Sequence, residues 1–176
     1  MMKKILKFFM YLFAFILFFM IFLPKESLYN LLEKELEQKQ IIISDEIRDE
    51  KLLSLNVSNA NIFFEGINIA RVDSFNFMSL FLYTKIELTN ISLIDSFTSF
   101  APSPIDKIDI KHSILNPNKI YMEAFGLFGE MKAEINILNR VLKVELNASK
   151  QMKNSYSKLL RYFKYENERY VYEYKF

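Results

Sequence analysis

The chain has 176 residues with 23 basic and 21 acidic side chains, one histidine and no cysteine. Near-neutral charge excludes nucleic acid as a partner, because a phosphate binder concentrates basic surface. The lack of cysteine excludes disulfides, thiolate metal sites and lipoprotein-type acylation, so stability must come from the core of one domain.

Residues 8–23, FFMYLFAFILFFMIFL, carry no charge. Ile5 and Leu6 extend this run past Lys7 to about nineteen residues, near the ~20 that cross a ~30 Å hydrocarbon core. The expectation is a short cytoplasmic tail (1–4) and a single-pass inner-membrane anchor (5–23). Lys3, Lys4 and Lys7 would stay cytoplasmic and the remainder would be periplasmic. A cleaved signal peptide is the alternative, but it needs small residues at the cleavage site. Met20, Ile21, Phe22, Leu23 and Pro24 supply none, so the reading is an uncleaved anchor.

Residues 24–40 read as an amphipathic helix opened by Pro24, with Leu28, Leu31, Leu32 and Leu36 on one face and Glu33, Glu35, Glu37 and Lys39 on the other. It either caps the sheet or lies on the bilayer, and its acidic polar face favours the sheet. The acidic run Asp45, Glu46, Asp49 and Glu50 lacks the ligand ladder and glycine of a calcium loop, so it reads as a solvated turn.

From residue 52 to 146, β-branched and aromatic residues alternate with polar ones. Strands are expected near 52–57, 61–64, 67–72, 80–89, 105–114, 119–125, 130–137 and 141–147. Asn116-Pro117-Asn118 and Leu138-Asn139-Arg140 mark two hairpins. Short connections between one-sided strands imply an antiparallel meander. The fold class is thus an N-terminal single transmembrane helix followed by a β-rich α+β domain (41–176), its curved antiparallel meander sheet carrying one or two amphipathic helices.

Residues 95–104, with Pro102 and Pro104, form a loop whose Phe97 and Phe100 either face a membrane or fold back on the sheet. Helical spacing returns over about 148–164, with Met152, Tyr156, Leu159 and Phe163 in one stripe. Lys150, Lys153, Lys158, Arg161 and Lys164 surround it as a candidate membrane- or partner-facing basic surface. The plainer reading is a helix packed on the sheet with solvated lysines. Residues 169–176, RYVYEYKF, alternate as a terminal strand suited to a sheet edge or a lid over an apolar face.

Chemistry is sparse. His112 is the one histidine and falls in an alternating strand; no nucleophile elbow, phosphate loop or His-rich metal spacing occurs. The reading is non-enzymatic, with no catalytic residue, no cofactor and no metal. Asn147-Ala148-Ser149 fits the N-glycosylation pattern, with Glu145 two residues before Asn147 as in the extended acceptor sequence of bacterial systems.

The order of parts, with Phe22-Leu23-Pro24, the 28–36 helix, the Phe125-Gly126-Leu127-Phe128-Gly129-Glu130 turn and the closing Tyr170-Val171-Tyr172-Glu173-Tyr174, resembles the GspN-like proteins of bacterial type II secretion and the wider AsmA-like group. The chain is shorter than typical members. The resemblance implies an inner-membrane protein of a Gram-negative cell associated with secretion or envelope assembly, either a scaffold for partner proteins or a lipid-binding or lipid-transfer groove. A sheet with one greasy face must cover it by helix packing, self-association or an acyl chain. The candidate groove lining is Ile108, Ile110, Ile120, Met122, Ile135 and Ile137.

Overall fold

The computed structural model describes residues 2–80, 82–99 and 101–176, without the side chains of Met2 and Met20. Phe100 of the 95–104 loop lies outside the described residues. Helix α1 (Met2–Phe22) and helix α2 (Lys25–Glu37) precede strands β1 (Ile41–Ser44), β2 (Ile47–Glu50), β3 (Ser54–Phe64), β4 (Ile67–Leu80) and β5 (Tyr83–Leu93). After a 3-10 turn at Asp95–Phe97 come β6 (Ile105–Ser113), β7 (Lys119–Gly126), β8 (Gly129–Asn136) and β9 (Val141–Ala148). Helices α3 (Lys150–Ser155) and α4 (Ser157–Leu160) lead to the hairpin β10 (Lys164–Glu166) and β11 (Arg169–Lys175).

All strands join one antiparallel sheet in the order β1-β3-β4-β5-β6-β7-β8-β9-β11-β10, with β2 beside β1 on the edge of β3. Consecutive strands from β3 to β9 are neighbours, joined by short turns except for the 94–104 loop between β5 and β6. Side chains alternate across the pleat, so the register sorts one face into apolar rows and the other into charged rows.

The transmembrane anchor expected at 5–23 is corrected. Among the described residues no helix is long and apolar enough to cross a membrane. Lys3, Lys4 and Lys7 occupy the first two turns of α1, and the helix ends at Phe22 before Pro24. Residues 8–22 rise only about 22 Å at 1.5 Å per residue, against ~30 Å of hydrocarbon. A single-pass inner-membrane anchor is not supported, and the cytoplasmic and periplasmic assignments built on it fall with it. Lys25 is buried and caps α1, its Nζ donating to Ile21 O at 3.2 Å and Leu23 O at 3.0 Å, with Glu50 at 3.9 Å. Those carbonyls would otherwise have no helical partner.

Helix α2 caps the sheet. Its Tyr29 is buried against Leu55, Val57 and Val72, with the Phe75 ring centroid 5.7 Å away. The acidic run differs from its expectation as a solvated turn. Residues 47–50 are a strand, and Arg48 joins Glu33 of α2 at 2.9 Å to Glu46 at 2.6 Å, its guanidinium 4.8 Å from the Tyr29 ring centre. Burial, with Glu33 and Glu46 nearby, pushes the Tyr29 phenol above its usual range.

The 148–164 helix is also corrected. It breaks at Tyr156 (φ −122°, ψ 25°), whose hydroxyl donates to Thr98 O at 2.9 Å, and Lys164 belongs to β10. Met152 and Leu160 are buried beside Phe128, Ala124, Leu146 and Ala148 in a second core cluster. Ser149 ties this cover to the β7–β8 turn. Its hydroxyl donates to Leu127 O at 2.6 Å and accepts from Met152 N at 3.0 Å, while its own N–H donates to Phe128 O at 2.9 Å.

Candidate functional site

Three rows of paired residues cross the apolar face. The row Phe75, Leu88, Ile108, Ala124, Met131, Leu146 and Tyr170 lies under the helical covers and feeds both core clusters. The next row is Phe77, Ile86, Ile110, Met122, Ala133, Val144 and Tyr172. A third runs Ser79, Thr84, His112, Ile120, Ile135, Leu142 and Tyr174. Ile110, Met122, Ile120, Ile135 and Leu142 are half-buried and belong to neither cluster. They form an apolar strip over β6 to β9, in the two rows beyond the one that carries Ala124 and Leu146 under α3 and α4.

The strip runs through His112 into a cavity of about 380 Å³ at the junction of the helices with the sheet. Phe19 and Leu23 from the end of α1 and Leu28 from α2 form one wall. Ser79, Leu80, Leu82, Tyr83, Thr84, His112 and Ile114 form the other. The His112 Nε2–H donates to Pro117 O at 3.2 Å, and among the described residues no carboxylate is bonded to the ring to orient it as a base. Among the described residues no three His, Asp or Glu side chains are grouped as a metal site would need.

The six candidate lining residues therefore separate. Ile110, Ile120, Met122 and Ile135 are brought together in the strip. Ile108 packs against both core clusters, and Ile137 lies beyond β8, about half exposed. Sequence reasoning missed the Leu80–Thr84 hairpin end and the contribution of Phe19 and Leu23. The alternation of Phe75 and Phe77 beyond Val72, where the sequence reading stops β4, was the available signal.

The opposite face is self-neutralised. Lys85 lies 2.5 Å from Glu87 and 3.2 Å from Asp109, and Lys107 lies 3.0 Å and 3.1 Å from the same two carboxylates. Hydrogen bonds from Lys85 and Lys107 hold Glu87 below the usual carboxylate range. Burial would raise Asp109, but the two lysines outweigh it and hold this group low as well. Lys111 pairs with Glu123 at 2.9 Å, Lys119 with Glu134 at 2.6 Å, and Lys143 with Glu145 at 2.7 Å. Such a surface offers a charged ligand no net attraction.

Lys150, Lys153, Lys158, Arg161 and Lys164 are all exposed, but they are spread over two helices of six and four residues, the turn after α4 and a strand. Asn147 is exposed on β9, paired with Glu130, and the Ser149 hydroxyl of its tripeptide is engaged as described. No family model, curated protein or solved structure matches the chain.

Proposed function

We propose that the chain is a non-enzymatic binding module that seats an elongated apolar ligand, of the lipid acyl-chain class, along the uncovered strip of its sheet. The observation that carries this reading is that Ile110, Met122, Ile120, Ile135 and Leu142 are left half-buried outside both core clusters, and that Ile120 pairs with His112, which lines the helix–sheet cavity. From Thr84 on β5, through His112, to Leu142 on β9 the strip crosses four inter-strand steps, roughly 19 Å at ~4.8 Å per step. That suits one extended chain better than a compact ligand. The resemblance to the GspN-like and AsmA-like proteins, with their roles in secretion or envelope assembly, points the same way.

Native mass spectrometry of the full chain with extraction of bound lipid tests the reading. The expected result is a stoichiometric lipid that Ile110→Asp or Ile135→Asp removes while the far-ultraviolet circular dichroism persists. Unfolding by both variants would show instead that the strip is ordinary core.

A second reading, an interaction module for secretion or envelope proteins, draws support from α1. Phe8, Phe9, Tyr11, Phe13, Phe15 and Phe22 are each about 60% or more exposed, an apolar surface of the kind that marks a contact site. It predicts that polar substitutions on α1 abolish partner recovery while bound lipid is unaffected.

A further inference from the structure

The free edge of β11 has a register of its own. The hairpin from β10 to β11 has a two-residue loop, Asn167 and Glu168, both with positive φ (49° and 63°), closed by the pair Glu166 and Arg169. This is the type I′ arrangement, in which the closing pair exchanges both backbone hydrogen bonds. Arg169 therefore directs its N–H and C=O away from β9, and by alternation so do Val171, Glu173 and Lys175. The opposite parity agrees, since the Phe176 N–H donates back across the sheet to Arg140 O at 3.0 Å. Strand β10 covers β11 only from Arg169 to Val171. Among the described residues no strand lies beside Glu173 and Lys175 on that side.

We propose that this edge pairs with the same edge of a second copy, antiparallel and centred on Tyr174. In that register Glu173 of each chain faces Lys175 of the other. Both are outward-directed residues, so the two pairs close four backbone hydrogen bonds. On the charged face they set Glu173 against Lys175 twice, and opposite charges directly across strands are favourable while like charges are not. On the apolar face Tyr174 meets its own copy and Tyr172 meets Phe176. The Tyr172 ring already lies there, 5.6 Å from that of Phe163. A one-residue shift would place like against like or turn hydrogen-bonding groups away, so charge and backbone parity select one register. The pairing extends the apolar face across two copies and does not depend on a bound ligand.

The chain has no cysteine, so one introduced thiol reports the geometry. Tyr174 is half exposed, and in a non-hydrogen-bonded pair its Cα lies ~4.5 Å from its copy, within disulfide range. In the same register Tyr172 lies roughly 14 Å from its own copy, from four residues at ~3.4 Å each. Oxidation of the full-length Y174C chain is expected to give a covalent dimer. Y172C alone and F176C alone should give none, and a mixture of those two should cross-link. In sedimentation without added thiols, E173K or K175E should raise the dimer dissociation constant about tenfold, and the double swap E173K/K175E should restore it. A folded Y174C chain that fails to cross-link, or Y172C cross-linking as well as Y174C, overturns the proposal. Association indifferent to the charge swaps overturns it too, and points to contact through α1.

Discussion

The two ends of one sheet face are finished differently. Under α2, Leu55 and Val57 have essentially no exposure and the Arg48 network locks the helix down from its polar side. Across the middle strands, Ile110, Ile120 and Ile135 have the same chemistry and the same pleat position but remain half open. Apolar sequence alone therefore does not define core; a covering helix buries the large side chains, while within the strip only the small Ala133 and Val144 are buried. Helix α2 is thirteen residues, about 20 Å, and α3 and α4 together are shorter, so a sheet of this width cannot be roofed by them.

Substitutions at the covered and uncovered positions should differ in cost. Leu55→Ala should cost about 2–5 kcal/mol in urea unfolding, whereas Ile135→Ala should cost less than half as much because the strip is partly hydrated. Equal losses would erase the distinction. Gly129→Ala should be nearly as severe at the other cover. A Cβ there would overlap Asn147 O at φ +111°, and the clash and backbone strain together should cost roughly 2–4 kcal/mol. Ser149→Ala removes both the α3 cap and the tie to Leu127, for about 1–2 kcal/mol, with melting temperature as the readout.

The smallest effect is that of pH on the charged face. Glu87 and Asp109 are held low in the folded chain, so their contribution is present above the unfolded carboxylate range and lost as pH falls through the folded values. Lys85 and Lys107 are held high, chiefly by hydrogen bonds to Glu87, so theirs is present below the unfolded lysine value and lost as pH rises through the folded one. Glu33 works against the acid limb, because burial raises it and protonation relieves that cost. Partial exposure discounts the sum to about 1 kcal/mol. Urea midpoints should be flat from about pH 5 to 9 and fall below about pH 4.

Much of the sheet was legible in local pattern. Asn116-Pro117-Asn118 and Leu138-Asn139-Arg140 are turns between paired strands, because their polar residues interrupt strict alternation. The break placed between residues 57 and 61 is instead a kink within one strand, where Asn59 takes a positive φ of 58°. The Asp45–Glu50 run misled because its partners are remote: Glu33, Asn30 and Asn61 lie eleven or more residues away in sequence. The anchor misled because counting apolar residues across Lys7 ignores where the helix places its charges and where Pro24 ends it. Of the candidate site, the strand residues follow from alternation. Which of them stay uncovered depends on the lengths and landing points of the helices, which no local pattern encodes.

In the proposed function the strip is a seat and not a core. Native mass spectrometry of the full chain before and after Ile110→Asp tests it most directly. The expected result is bound lipid on the parent chain and a folded, lipid-free variant. A parent chain that carries no lipid, or a variant that unfolds, would contradict it.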